Sequence, residues 1–145
     1  MQNLSVENFK EEDLSDILKL ERELFKESYS EETLRKELKL PFSVGLTAKL
    51  NGELVGYCFS WLVGETCEIH RIGVKKEFQG KGIGGELLKR LIKLSKERGA
   101  QQIILEVNEK NRRAISLYRR FGFVKISERK NYYGSDSALI LKLNL

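Results

Sequence analysis

Residues 77–91 read EFQGKGIGGELLKRL: four glycines fall within six positions, and an apolar helical stripe begins directly after them. Glycine disfavours a helix interior and leaves backbone amides uncovered, so the chain has to run as a loop here before the helix starts. The flanking stretches TCEIHRIGV and QQIILEV are rich in β-branched and apolar residues and read as strands. Strand, loop, helix and strand in this order predict two parallel neighbours joined by a right-handed crossover. Gly99 is placed to end the helix as a C-terminal cap.

Around this unit the patterning is different. Residues 4–9 read as a short strand. DLSDILKLERELF carries a helical stripe that Asp13 could cap, and SEETLRKELKL forms a second helix that stops before Pro41. SVGLTAKL and ELVGYCFSWLV, separated by Asn51-Gly52, read as a hairpin. QQIILEV reads as a buried strand. Asn111 can cap a helix with the stripe Ala114, Leu117, Tyr118 and Phe121, closed by Gly122, and FVKISERK and SALILKL read as final strands. The order is β-α-α-β-β-β-α-β-α-β-β, an α+β fold, expected to form one domain over residues 1–145.

Length and charge narrow the function classes. The 145 residues suffice for one core, and the 26 Lys and Arg against 21 Asp and Glu leave a formal charge of +5 spread along the chain. A nucleic-acid binder would gather its cations on one face, so no nucleic-acid partner is expected. No apolar run approaches the roughly 20 residues that span a bilayer, and the first residues lack a signal-peptide pattern; no membrane association and a cytoplasmic location are expected. Cys58, Cys67 and His70 could suggest a metal, but both cysteines lie in apolar strand-like stretches and read as buried thiols. No metal is expected.

The glycine loop reads as an anion site. A helix N-terminus offers unpaired amides and a partial positive charge; Gln79 to Gly84 supply such amides with little side-chain cover, and Lys75, Lys76 and Lys81 add charge nearby. A Walker loop would need Lys-Ser or Lys-Thr after its last glycine, whereas Gly84 is followed by Gly85-Glu86. A dinucleotide fingerprint GxGxxG is present at Gly80-Lys81-Gly82-Ile83-Gly84-Gly85, with Glu106 about twenty positions on. KKEFQ, however, separates it from its strand, and the 39 residues after Glu106 are too few for a two-half nucleotide fold.

The pattern Gln79-Gly80-Lys81-Gly82-Ile83-Gly84 resembles the acyl-coenzyme-A loop of the GNAT acetyltransferases, and the element order resembles that fold over nearly the whole chain. ILEVNEKNRRAISLYRRFGF followed by RKNYY is similar to the N-terminal acetyltransferases of the RimI type. The resemblance implies acetyl-CoA as co-substrate, with the strand Ile72-Gly73-Val74 holding the pantetheine arm and the amides of Gln79 to Gly85 holding the pyrophosphate. It implies a protein N-terminus as acceptor, for the RimI type that of a ribosomal protein; a monomer or weak dimer is expected, although the sequence carries no signal for the oligomeric state. Where that type has Pro-Trp before the second helix, this chain has Ser28-Tyr29, and Leu24, Phe25 and Tyr29 are the candidates for the acceptor wall. Gly85 stands where an arginine is frequent.

Acetyl transfer to an amine requires a base, a stabilised carbonyl oxygen and an acid for the departing thiolate. Ile104, Glu106 and Asn108 share one face of their strand. A carboxylate buried there would have its pKa raised, as suits a base; it could equally be a structural glutamate paired with an arginine, and the resemblance favours the base. Glu68 and His70 share a face of the preceding strand and are minor candidates beside Glu106. On pattern alone Tyr118 is a core aromatic; the resemblance makes it the acid at the coenzyme sulfur, gives Asn111 a coenzyme contact besides its cap, and makes Tyr132 and Tyr133 peptide clamps. A backbone amide near Ile72 or Gly73 could polarise the carbonyl, with the glycine marking a bulge. An α-amine with a pKa of about 7.8 is roughly one-seventh neutral at pH 7, against about one in 2,500 for lysine near 10.4, which favours an N-terminus as acceptor. The alternatives are a lysine or small-amine acetyltransferase and a coenzyme-A-binding regulatory module without turnover.

Overall fold

Asn51 and Gly52 both take positive φ, 51° and 84°, the backbone of a tight turn whose twist matches paired strands. They join β2 (Ser43–Leu50) to β3 (Glu53–Val63). The computed structural model describes residues 3–145. The other strands and α-helices are β1 (Leu4–Asn8), α1 (Leu14–Leu24), α2 (Glu31–Lys39), β4 (Thr66–Val74), α3 (Ile83–Glu97), β5 (Gln102–Asn108), α4 (Arg112–Arg120), β6 (Val124–Tyr133) and β7 (Asp136–Asn144). Their order matches the sequence expectation.

The seven strands form one sheet in the order β1-β2-β3-β4-β5-β7-β6. All neighbours are antiparallel except β4 and β5. Helix faces split along the sheet. Leu14, Ile17 and Leu20 of α1 and Leu34 of α2 pack on Leu54, Tyr57 and Phe59. On the opposite face Ile83, Leu87, Leu88 and Leu91 of α3, with Ile115 and Tyr118 of α4, pack on Leu46, Val55, Cys58, Cys67, Ile69, Ile103, Leu105 and Leu141. Cys58 and Cys67 are buried free thiols, as expected.

The site depends on where the central pairing stops. β4 and β5 pair only over Thr66–Ile69 against Gln102–Leu105. Beyond that, β4 stays bonded to β3 as far as Val74, and β5 to β7 as far as Asn108. Each strand is held by its outer neighbour, so the two diverge and a gap opens between them. Strand groups that face the gap have no ladder partner there.

Several local expectations are corrected. Asp13 does not cap α1: its carboxylate accepts from the Lys10 amide at 2.9 Å and pairs with Lys49 Nζ at 2.8 Å. β5 is buried on one face only, through Ile103, Leu105 and Val107, while Glu106 is exposed. The strand after Phe123 continues to Tyr133, carried past irregular positions at 125–127 and 129–133, so Tyr132 and Tyr133 end a strand instead of lying in a loop. The α4 stripe is centred differently as well: Ile115 and Tyr118 are buried, while Ala114, Leu117 and Phe121 are half-buried at its edge.

Candidate active site

A cleft of about 470 Å³ runs from the glycine loop to the end of α1. Ile72, Gly73 and Val74 line it, as do Gln79, Gly80, Gly82, Ile83, Gly84 and Gly85 from the loop and first turn of α3. Asn111 and Tyr118 close its α4 side, and Leu24 and Phe25 its far end. The cleft therefore gathers most of the residues singled out in the sequence. Lys81, Tyr29, Glu68, His70, Glu106, Tyr132 and Tyr133 lie outside its lining.

The loop conformation follows from its glycines. Gly80 and Gly82 adopt φ of 78° and 89°, the left-handed region that side-chain-bearing residues avoid. A Cβ at either would touch nothing, so their glycine identity comes from backbone shape. At Gly84 a Cβ would come within 3.2 Å of Leu117 Cδ2, so that glycine serves the approach of α4 to α3. The first helical hydrogen bond runs from Glu86 N to Gly82 O at 3.0 Å, which leaves the amides of Ile83, Gly84 and Gly85 ahead of the intrahelical ladder. These amides line the cleft at the positive end of the α3 dipole, which fits a diphosphate. Gln79 is fixed by donating from Nε2 to Val74 O at 3.0 Å and accepting from Arg113 Nη1 at 2.6 Å. Arg113 and Arg120, which the sequence reading missed, add cations to the cleft wall. Of the expected lysines, Lys75 is partnered by Glu53 and Glu77, and Lys81 lies over the Phe78 ring at 5.5 Å.

Gly73 is not at a bulge, as the sequence had suggested. The irregularity falls at His70, since Ser60 pairs with Ile69 and Phe59 with Arg71. One extra residue there reverses the alternation along β4: Cys67 and Ile69 face α3, and so do Ile72 and Val74, whereas Arg71 and Gly73 face α1. Gly73 lacks a side chain because a Cβ would lie 2.7 Å from Tyr57 Cζ.

Tyr118 and Glu106 lie on opposite faces of the sheet. Tyr118, 7% exposed, packs against Phe123 on the α3 side, its phenol held well above the ordinary tyrosine value by burial. Asn111 caps α4 by accepting from the Ala114 amide at 3.2 Å, as expected. Glu106 was expected to be buried, but its side chain is 34% exposed and pairs with Arg129 Nη2 at 3.2 Å. On that face α1 and α2 pack over β3, and Glu106 is left exposed on β5. Tyr133 stands close enough for the Glu106 charge to add to burial in raising its phenol above the ordinary value, and Arg129 lies over the Tyr132 ring at 5.3 Å. His70 Nε2 is 3.1 Å from Glu68 Oε1, and its ring packs edge-on against Trp61 at 4.6 Å. Among the described residues no group of three or more His, Cys, Asp and Glu is placed to hold a metal ion.

The α1 end of the cleft has beside it a second group absent from the sequence reading. Glu21, fully buried, accepts from Tyr57 Oη, Arg71 Nη1 and the Tyr29 amide. Its position on the buried face of the α1 stripe, beside Leu14, Ile17 and Leu20, was the available signal.

Comparison with known proteins agrees with this geometry. The family model for the acetyltransferase (GNAT) family matches residues 14–123. A putative [ribosomal protein bS18]-alanine N-acetyltransferase of Bacillus subtilis is 32% identical over 140 residues, 94% of this chain and 93% of that protein. The [ribosomal protein bS18]-alanine N-acetyltransferase of Escherichia coli K12 is 33% identical over 97 residues, 64% of this chain and 66% of that one. The crystal structure of the ribosomal-protein-S18-alanine N-acetyltransferase from Escherichia coli superposes with a TM-score of 0.90 at 26% identity, covering 97% of this chain and 93% of that one. The chain belongs to the GNAT acetyltransferase family and is an acetyl-CoA-dependent acetyltransferase.

Proposed function

We propose that this enzyme transfers the acetyl group of acetyl-CoA to the N-terminal α-amine of a protein, and that its acceptor is a ribosomal protein. One observation supports the reading: pairing of β4 with β5 ends at Ile69 and Leu105, and Tyr118 and Glu106 lie on opposite faces of the sheet beside the gap that opens there. The amides at the start of α3, with Arg113 and Arg120, would hold the diphosphate, and unpaired groups of Ile72–Val74 would hold the pantetheine arm. When bound, acetyl-CoA supplies an activated thioester carbonyl.

Glu106 receives the proton of the α-amine, directly or through water, because it faces solvent on the acceptor side. Tyr118 remains a phenol at neutral pH and gives its proton to the departing sulfur. A main-chain amide near Ile72 or Gly73 polarises the carbonyl oxygen. Phe25 and Leu24 form the wall nearest the gap. Tyr132 and Tyr133, with exposed rings 5.1 Å apart, extend beyond Glu106 and would clamp the peptide. Glu68 and His70 line the same face as auxiliary acceptor contacts. The names of the Bacillus subtilis and Escherichia coli relatives support a ribosomal acceptor with an N-terminal alanine.

The test is acetylation of a peptide library with mass-spectrometric mapping of the modified nitrogen. Modification of α-amines, strongest for the N-terminal sequence of the ribosomal protein, is expected. Modification of internal lysines alone would refute the proposed acceptor.

A further inference from the structure

A buried polar cluster around Glu21 lies at the acceptor end and has no place in the chemical step. Glu21 Oε1 accepts from Arg71 Nη1 at 2.5 Å and from the Tyr29 amide at 2.8 Å, while Oε2 accepts from Tyr57 Oη. The Arg71 guanidinium carbon lies 4.0 Å from the Phe25 ring centroid and 4.2 Å from that of Tyr29. Both terminal nitrogens of Arg71 also reach the Glu27 carbonyl at 3.5 Å. One ion pair thus ties together α1, the 25–30 segment, β3 and β4.

We propose that Glu21 and Arg71 are positioning residues that clamp the 25–30 segment and so fix the wall against which the acceptor's first residue binds. A buried ion pair is weak evidence for stability, since desolvation offsets much of its attraction, and fixing one arrangement is a better-attested use. Here the arrangement has an address. Phe25 both lines the cleft and meets Arg71, and Gly73, also in the lining, abuts the Tyr57 ring that Glu21 anchors. The planar guanidinium stacks on two rings while donating to a carboxylate and a carbonyl; an ammonium cannot do both. The inference rests on the proposed acceptor reading.

The test compares Arg71→Lys, which keeps a charge for Glu21, with Glu21→Gln, which keeps the shape. In each variant KM for an N-terminal peptide is expected to rise about tenfold, a modest share of what misplacing a reacting group costs. KM for acetyl-CoA should stay within about twofold, because the glycine loop is untouched. Hydrogen exchange, read in parallel, should speed up about tenfold across residues 25–30 and remain unchanged in α3. An unchanged peptide KM in both variants, or equal rises in both KM values, overturns the proposal. If the wild-type protein acetylates no α-amine, the acceptor assignment fails, and exchange then decides the clamp: unaltered exchange across 25–30 in both variants refutes it.

Discussion

Gly73→Ala gives a sharp test of how the floor of the cleft is built. The new Cβ would lie 2.7 Å from Tyr57 Cζ and 2.8 Å from both Cε1 and Oη, where carbon atoms in contact sit about 3.5–4.0 Å apart. Gly73 φ lies outside the left-handed region, so the cost is steric alone. The ring cannot withdraw freely, because Tyr57 is fully buried and its hydroxyl is bonded to Glu21, itself held by Arg71 and the Tyr29 amide. Relief therefore needs a shift of nearly 1 Å in a packed region, and overpacking of this kind costs about 1–3 kcal/mol. For a chain of this size that corresponds to a fall in Tm of roughly 3–10 °C, measured by calorimetry. Repeating the substitution in a Tyr57→Leu background removes the opposing ring, and the cost should drop below about 0.5 kcal/mol. A Gly73→Ala protein as stable as wild type, or one losing the same stability in both backgrounds, would refute the steric account.

Three other expectations follow from particular contacts. Tyr118→Phe should lower kcat by about 100-fold with the dissociation constant of coenzyme A nearly unchanged; because burial keeps the wild-type phenol protonated, no loss of kcat from this group should appear as pH rises to 10.0. Asn111→Ala should cost about 1 kcal/mol of stability through the lost cap and raise KM for acetyl-CoA, both measurable on one preparation. Lys49 is held above the ordinary lysine value by its hydrogen bond to Asp13. Its stabilising contribution is therefore complete at neutral pH and lost as pH climbs past that raised value. Wild type should lose more stability than Lys49→Met in alkaline denaturation above pH 10.5, and parallel curves would contradict this.

The element order was legible because its signals are local. Asn51-Gly52 defines a turn, the leucine stripe of 87–94 defines a helix face, and glycines at 80 and 82 stop the preceding segment from becoming helical. What escaped sequence reading depends on pairing partners. The extra residue at His70 changes which side chains of β4 face α1, and nothing within TCEIHRIGV announces it. Glu106 lies in an apolar run that suggests burial, yet the helices on its face of the sheet pack over β3 and leave it exposed. Glu21 has the opposite history: its place on the apolar stripe of α1 hinted at burial, but its partner Arg71 stands fifty residues later and only the fold brings them together. Tyr132 and Tyr133 were read as loop residues because RKNYYGSDS is polar, whereas pairing with β7 carries the strand through it.

Amide resonances of uniformly labelled protein, followed during titration with coenzyme A and with pantetheine, test the anchoring claim most directly. Coenzyme A is predicted to shift the amides of Gly82 to Gly85, and pantetheine, lacking the diphosphate, to leave them in place while moving those of Ile72 to Val74. Saturation by coenzyme A with the 82–85 amides unmoved would contradict the account.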